Sequence, residues 1–310
     1  MSDPGFTLVQ LRYFAAAAER GSMTLAARDL MVSQSAVSTA VALLEKELGV
    51  QLLLRHHARG LTLTPAGRAF HQQVREFLAH SVELVESARQ AGTEVVGNLT
   101  LGCFITLAPF RLPRLLAEFE KRHPAVRAAV REGEHAALKT ALRAGDCEIA
   151  LLYGYDLDDD IEHTVLDATR PYALVPAGHR FAERPDREVA LAELADEPMI
   201  LLDLPHSADY LLGVLRAAGV EPVIRHRSAG FETVRALVAN GHGYAVLNQR
   251  PAHDGTYGGG RAVPLTLRDE VPPLNIVLCW MRGTRPTRRA QAFLHTCRAL
   301  YSEGQRSEGR

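Results

Sequence analysis

Apolar residues in the first ninety positions recur at helical spacing. Leu8, Leu11, Phe14 and Ala15 fall on one face at the i, i+3, i+4, i+7 repeat, with Thr7 in front of them as an N-cap. Gly21 ends this helix. Ser22 caps a second, short one over Met23–Leu30, whose Ala26-Ala27 pair permits close packing. Met31-Val32 makes a tight turn, and Ser33 caps a third helix that runs to Leu48 and stops at Gly49. Two helices joined by a few residues, the second longer and polar at its start, form the helix-turn-helix pattern. Val50–Leu54, the basic stretch Arg55-His56-His57-Ala58-Arg59-Gly60 and Leu61-Thr62-Leu63-Thr64 read as a short hairpin with a basic tip, a wing.

Thr64-Pro65 opens a further helix to about Gln90, with threonine as cap and proline at the first helical position. Phe70, Val74, Phe77, Ser81, Leu84 and Ala88 follow at steps of four and three, the spacing of a coiled-coil seam. One amphipathic helix packed on its own domain gives the same spacing. We favour dimerisation, because a long helix beside such a unit more often pairs.

From Leu99 onward short apolar runs alternate with helices. Leu99–Ile105, Ile149–Tyr153, Tyr172–Val175, Met199–Leu202, Tyr244–Leu247 and Asn275–Trp280 are examples. Strands alternating with helices imply βαβ units and a parallel-type sheet. The change of pattern between Ala91-Gly92-Thr93 and Gly97-Asn98 divides the chain into a winged helix-turn-helix over 1–64, a linker helix over 65–93 and an α/β domain over 94–310. Asp156–Asp160 and Gly255–Arg261 read as solvated loops.

Composition narrows the function. The net charge of −1 excludes a chain that binds polyanions through overall charge, but residues 33–75 carry Lys46, Arg55, Arg59, Arg68 and Arg75 against Glu45 and Glu47, a local +3 of the kind phosphate contacts need. Four scattered cysteines (Cys103, Cys147, Cys279, Cys297) form no CxxC pair, so neither a disulfide framework nor a zinc site is expected. The opening MSDPGFTLVQ lacks a signal pattern and no run of 18 apolar residues exists, so a cytoplasmic protein without a membrane partner is expected.

Ser33, Gln34, Ser35, Ser38 and Thr39 crowd the start of the third helix, where such side chains reach base edges in the major groove. With Arg55, His56 and Arg59 of the wing they are the candidate DNA contacts. The same serines and glutamine also fit an ordinary solvated face. Adjacent His56 and His57 cannot easily converge on a metal, and no metal site is expected. Pro205-His206-Ser207-Ala208-Asp209 is too compact for a catalytic triad, and no HExxH, GxSxG or Walker sequence is present, so an enzyme is not expected.

The stretch Leu11 to Gly67 resembles the DNA-binding module of LysR-type regulators. The matching residues are Leu11-Arg12-Tyr13-Phe14, Ala26-Ala27, Ser33 to Ser38, Leu44-Glu45-Lys46-Glu47-Leu48-Gly49, Leu54-Arg55 and Leu61 to Gly67. Leu112-Pro113 with Phe119 and His123-Pro124, then Gly145-Asp146-Cys147-Glu148-Ile149-Ala150 (with Glu where Asp is usual), then Val234 to Tyr244, resemble the family's effector domain. The resemblance implies a two-lobed domain like periplasmic binding proteins, one lobe from 95–170 plus 272–300 and the other from 171–271. It also implies a homotetramer, a dimer of dimers, on an interrupted inverted repeat of double-stranded promoter DNA, with RNA polymerase as a further partner. A small effector between the lobes takes the place of a cofactor; none other is expected.

Ligands of open α/β sheets bind beyond the carboxyl ends of strands. On that rule Phe104 and Thr106 (as helix cap), Glu132, Tyr153, Asp203, Ser207, Phe231, Asn248 and Arg250 are the candidate cleft lining. Thr106 and Ser207 also read as plain helix caps, Phe104 as core, and Glu132 and Arg250 as solvated. A helix N-terminus at Thr106 with a basic Arg250 favours a small carboxylate. Cys103 near the cleft suggests a redox sensor, although a small core residue is the better reading. A solute-binding protein shares the effector fold, but residues 7–90 argue against it.

Overall fold

The computed structural model describes residues 5–56, 60–89 and 95–308. The first helix, α1 (Leu8–Arg20), starts at a reciprocal cap: Thr7 Oγ1 accepts from Gln10 N at 3.2 Å while Gln10 Oε1 accepts from Thr7 N at 2.6 Å. Ser22 Oγ accepts from Leu25 N to start α2 (Met23–Asp29), and Ser33 Oγ accepts from Ala36 N to start α3 (Gln34–Leu48). Gly49 closes α3 at φ 65°, a left-handed conformation that suits glycine. The three helices share a core in which Phe14, Ala17, Ala26, Val37 and Leu44 are fully buried.

The wing follows as an antiparallel pair, β1 (Leu53–His56) and β2 (Gly60–Leu63), with Leu53 opposite Leu63. Glu45 fixes it to α3: its Oε1 accepts from Leu52 N at 2.7 Å and Leu53 N at 2.9 Å. Arg59 lies outside the described residues, as does the centre of the wing tip.

Thr64 Oγ1 accepts from Gly67 N at the start of α4 (Pro65–Arg89). The seam proposed for this helix divides in two. Val74 is buried, and the Phe70 ring stands 5.5 Å from Phe14, so these positions pack on their own unit. Phe77 (54% exposed) and Leu84 (73%) remain uncovered. The middle of α4 meets the rest of the chain. Arg75 Nη1 lies 3.5 Å from Glu19 of α1 and 3.0 Å from Asp146, and its Nη2 donates to Gly145 O at 2.5 Å.

The remaining chain builds two lobes. In the first, β3 (Gly97–Phe104), α5 (Ala108–Arg122), β4 (Val126–Gly133), α6 (His135–Ala144), β5 (Ile149–Tyr153) and β6 (Ile161–Thr169) follow in order. The chain crosses at Arg170-Pro171 into the second lobe. There lie β7 (Tyr172–Pro176), β8 (Glu188–Val189), β9 (Pro198–Leu202), α7 (Ser207–Ala217), β10 (Val223–Ser228), α8 (Phe231–Ala239), β11 (Ala245–Leu247) and β12 (Ala262–Leu267). It returns through residues 268–273 to β13 (Leu274–Met281) and α9 (Arg288–Glu308).

The first sheet has the order β4-β3-β5-β13-β6. Its β4, β3 and β5 run parallel, as the βαβ pattern requires, but β13 is antiparallel to both neighbours. The sheet is therefore mixed, because the strand that re-enters from the second lobe arrives from the opposite direction. The second lobe carries β11-β7-β12-β8 and the parallel pair β10-β9, joined by a bridge between Met199 and Tyr244.

Asp156–Asp160 is not merely a solvated loop. Lys139 Nζ of α6 lies 2.8 Å from the Asp156 carboxylate and 3.2 Å from that of Asp158, while Arg143 holds Asp158 and Asp160. The partners sit 15 to 19 residues earlier in the chain, so local composition does not reveal them. Gly255–Arg261 is likewise tied down: Arg235 Nη2 donates to Gly255 O, and Tyr257 N donates to Glu232.

Candidate functional sites: the helix-turn-helix face and the interlobe cleft

The α3 helix buries Val37, Val41 and Leu44, and so turns Ser33, Gln34, Ser35 and Thr39 outward, where all four are exposed. Three serines on this face are engaged locally. Ser33 Oγ shares a 2.9 Å hydrogen bond with Ser35 Oγ, and half-buried Ser38 accepts from Arg55 Nη2 at 2.9 Å. Arg55 thus ties the wing to the helix while remaining exposed, which sets the distance between the two. His56 pairs with Gly60 through the backbone.

The second site lies between the lobes. Tyr155, just past β5, touches the second lobe: its hydroxyl and Ser207 Oγ share a 2.8 Å hydrogen bond. His206 Nε2 stands 3.3 Å from Asp156, and the rings of Phe110 on α5 and Phe231 on α8 meet edge-to-face at 5.4 Å. At the hinge Gln249 Nε2 donates to the Tyr153 hydroxyl at 3.2 Å, and Thr169 Oγ1 donates to Asn248 O at 2.5 Å. Beneath these contacts His135 stacks on Tyr155, with ring centroids 4.6 Å apart.

Both parts match known families over most of their length. A model described as "Bacterial regulatory helix-turn-helix protein, lysR family" covers residues 8–68, and "LysR substrate binding domain" covers residues 92–302. The chain belongs to the LysR family. It is 33% identical over 241 residues to the HTH-type transcriptional regulator TfdS of Cupriavidus pinatubonensis, covering 77% of this chain and 81% of that one. It is 30% identical to the hydrogen peroxide-inducible genes activator of Pectobacterium carotovorum, covering 76% and 78% of the two chains. The crystal structure of HinK, a LysR family transcriptional regulator from Pseudomonas aeruginosa, is 36% identical, covers 96% of this chain and 99% of its own, and superposes with a TM-score of 0.64. This LysR-type chain is a DNA-binding transcription regulator with a two-lobed effector domain.

The effector domain of the regulator gathers only part of the expected cleft lining. Tyr153, Ser207, Phe231 and Asn248 come together at the lobe junction. Phe104 is instead core, fully buried against His135 and Tyr153. Thr106 is no cap: Leu107 takes that place in α5, and the buried Thr106 side chain hydrogen-bonds to Tyr153. Glu132 is exposed on the edge strand β4, Arg250 is exposed, and Asp203 is spent on a surface pair with Arg227 at 3.4 Å. The charges invoked for a carboxylate therefore do not converge. Residues that the sequence did not place in the cleft, His135, Tyr155, His206 and Tyr210, do converge. Only the Tyr153-Gly154-Tyr155 run at a strand end hinted at them.

All four cysteines of the regulator are buried. Burial pushes the thiols of Cys103, Cys147 and Cys279 up to about 12 and that of Cys297 higher still. Such thiols are poor thiolates and correspondingly unreactive.

Two imidazoles are held neutral. Burial, then the Arg75 charge, lowers His71 to about 4; burial, then His206 and Lys139, lowers His135 to about 4. The unfolded chain binds more protons than the folded one between that value and the ordinary 6.5, so stability falls as pH drops through this window. Urea unfolding near pH 5 should show a loss on the order of 2 kcal/mol per imidazole relative to about pH 7. The paired change His71→Phe and His135→Phe should flatten that drop; an unchanged drop would assign it to other groups.

Proposed function

We propose that this regulator reads an interrupted inverted repeat in promoter DNA, working in the cytoplasm as a dimer of dimers paired through α4. A small effector between the lobes sets its activity, and RNA polymerase is the downstream partner. The observation that carries the reading is the capped, outward-facing start of α3, with Arg55 of the wing bonded to Ser38 on the same face. A helix end that presents Gln34 and Ser35 suits the major groove, and a guanidinium beside it suits the flanking phosphate.

A mobility shift on DNA from upstream of the regulator's own gene tests this with two variants. Gln34→Ala should cost about 1–3 kcal/mol on that DNA and little on random sequence. Arg55→Ala should weaken both alike and make the salt dependence shallower by about one phosphate. Equal losses for Gln34→Ala on both DNAs would reduce it to a positioning residue. An unchanged salt slope for Arg55→Ala would remove the wing from the interface.

The relative named for hydrogen peroxide induction raises a second reading, a thiol switch. Four buried thiols with raised pKa values speak against it. Reversible, non-covalent binding at the lobe junction is the reading we carry.

A further inference from the structure

The lobe junction is occupied by a side chain of the protein itself. Tyr155 has four aromatic neighbours drawn from both lobes. His135 and Tyr153 lie on one side of the junction, with centroids 4.6 and 5.6 Å away. Tyr210 and His206 lie on the other, at 6.2 and 6.5 Å. The rings of His135, Tyr153 and Tyr210 are within 30° of parallel to it. Its polar end meets Ser207 at the first residue of α7. A planar ring enclosed by aromatic faces, with one directed hydrogen bond, is what a small bound ligand experiences.

The polar atoms around this ring are incompletely used. His135 is 1% exposed, yet neither of its ring nitrogens has a hydrogen-bond partner among the described residues. Tyr210 Oη, and at the hinge Asn248 Oδ1, are also buried and unpartnered among the described residues. Buried polar groups of this kind are rare in folded proteins and call for a specific explanation. Nearby cations have carboxylate partners, Lys139 with Asp156 and Asp158 and Arg111 with Asp167, so their charge is balanced although the buried Arg111 Nε has no hydrogen-bond partner among the described residues. The surroundings thus favour a ring with hydroxyl or N–H groups over an anion.

The backbone beside Tyr155 is pinned. Gly154 N donates to Asn275 O at 2.8 Å, and Lys139 Nζ donates to both the carbonyl and the carboxylate of Asp156. Removing the ring from the junction therefore asks only for rotation of one side chain.

We propose that Tyr155 occupies the effector's own seat: the effector is a small planar ring bearing a hydroxyl or N–H that displaces Tyr155, stacks beside His135 and takes over Ser207. This rests on the interlobe reading above. While Tyr155 is seated the two lobes are joined through its hydroxyl, so exchanging it for a free ligand changes what holds them together. Apparent affinity for any ligand is reduced by the fraction of molecules in which the seat is filled.

The probe is p-cresol, the tyrosine side chain cut at its Cβ, with toluene as the same shape without the hydroxyl. Calorimetry on the full-length protein should show Tyr155→Ala binding p-cresol at least about tenfold more tightly than wild type, because the seat is empty. Toluene should bind that variant at least about tenfold more weakly than p-cresol, for want of the Ser207 bond. The footprint on DNA upstream of the protein's own gene should change when p-cresol is added to the variant. Tyr155→Phe keeps the packing and loses only the hydroxyl contact, so it tests the idea even where Tyr155→Ala does not fold; it should bind p-cresol about threefold to tenfold more tightly than wild type.

If neither variant gains affinity over wild type, Tyr155 is no stand-in and the proposal falls, while the interlobe reading survives. Equal binding of toluene and p-cresol reduces the seat to a greasy cavity and overturns the proposal. Tight p-cresol binding that leaves the footprint unchanged removes the junction as a control site, and then both readings fall.

Discussion

Gly67→Ala should destabilise the DNA-binding unit, although alanine in a first helical turn normally strengthens a helix. The usual gain is up to about 1 kcal/mol. Against it stands a steric term: a Cβ on Gly67 would lie 2.0 Å from Leu52 O and 2.9 Å from Leu52 C. Both are backbone atoms, so no side chain can rotate aside. Leu52 is pinned from two directions, its N–H by Glu45 and its carbonyl by Thr64 N at 2.9 Å. Relief requires α4 to move off the wing, at a cost of about 3 kcal/mol or more, so the clash wins. Gly213→Ala in α7 is the control, since its Cβ would meet nothing within 4 Å; it should stabilise by roughly 0.5–1 kcal/mol. Thermal melts of the two variants settle the matter. A Gly67→Ala protein that melts no lower than wild type would show that the wing and α4 are not locked as described.

Leu84→Asp should turn a dimer into a monomer and abolish tight binding to paired half-sites. Leu84, Phe77 and Val85 form an uncovered apolar stripe on the part of α4 that leaves its own unit. In the α4-paired dimer proposed above a second copy of the helix buries that stripe, and a carboxylate placed in the seam must be desolvated without a partner. Two linked reading heads gain about 10²–10⁴ in affinity over one. The variant should therefore bind an inverted repeat at least about a hundredfold more weakly, yet bind a single half-site as wild type does. Sedimentation should show its mass halved at least. Equal sedimentation of the two proteins would place the dimer contact elsewhere.

The N-terminal unit was legible because its signals are local. Thr7, Ser22 and Ser33 each sit one residue before a helix, Gly49 one residue after, and their caps form as written. The strand Ile149–Tyr153 has the bounds its apolar run proposes. The cleft was less legible because its residues come from separate elements. Thr106 looked like a cap, but Leu107 N donates to Phe104 O, the chain makes one more turn, and Leu107 takes the cap position. His135, Tyr155 and Tyr210 are ordinary residues in sequence and meet only because α6, the β5 exit and α7 converge. The long helix was only partly legible: 4-3 spacing cannot tell Val74, covered by its own unit, from Leu84, exposed among the described residues.

Arg75 holds Glu19 on the DNA-binding side and the Gly145-Asp146 turn on the effector side with one guanidinium. The donors of that group are fixed in a rigid fork, so it cannot follow one acceptor without loosening its hold on another. In the proposed effector control, an effector that moves this turn and changes DNA affinity by some factor has its own affinity changed by DNA by the same factor, since binding linkage is reciprocal. Under the effector control proposed above, each promoter would help set the effector concentration at which it responds: a strong operator and a weak one, served by the same molecule, would switch at different doses.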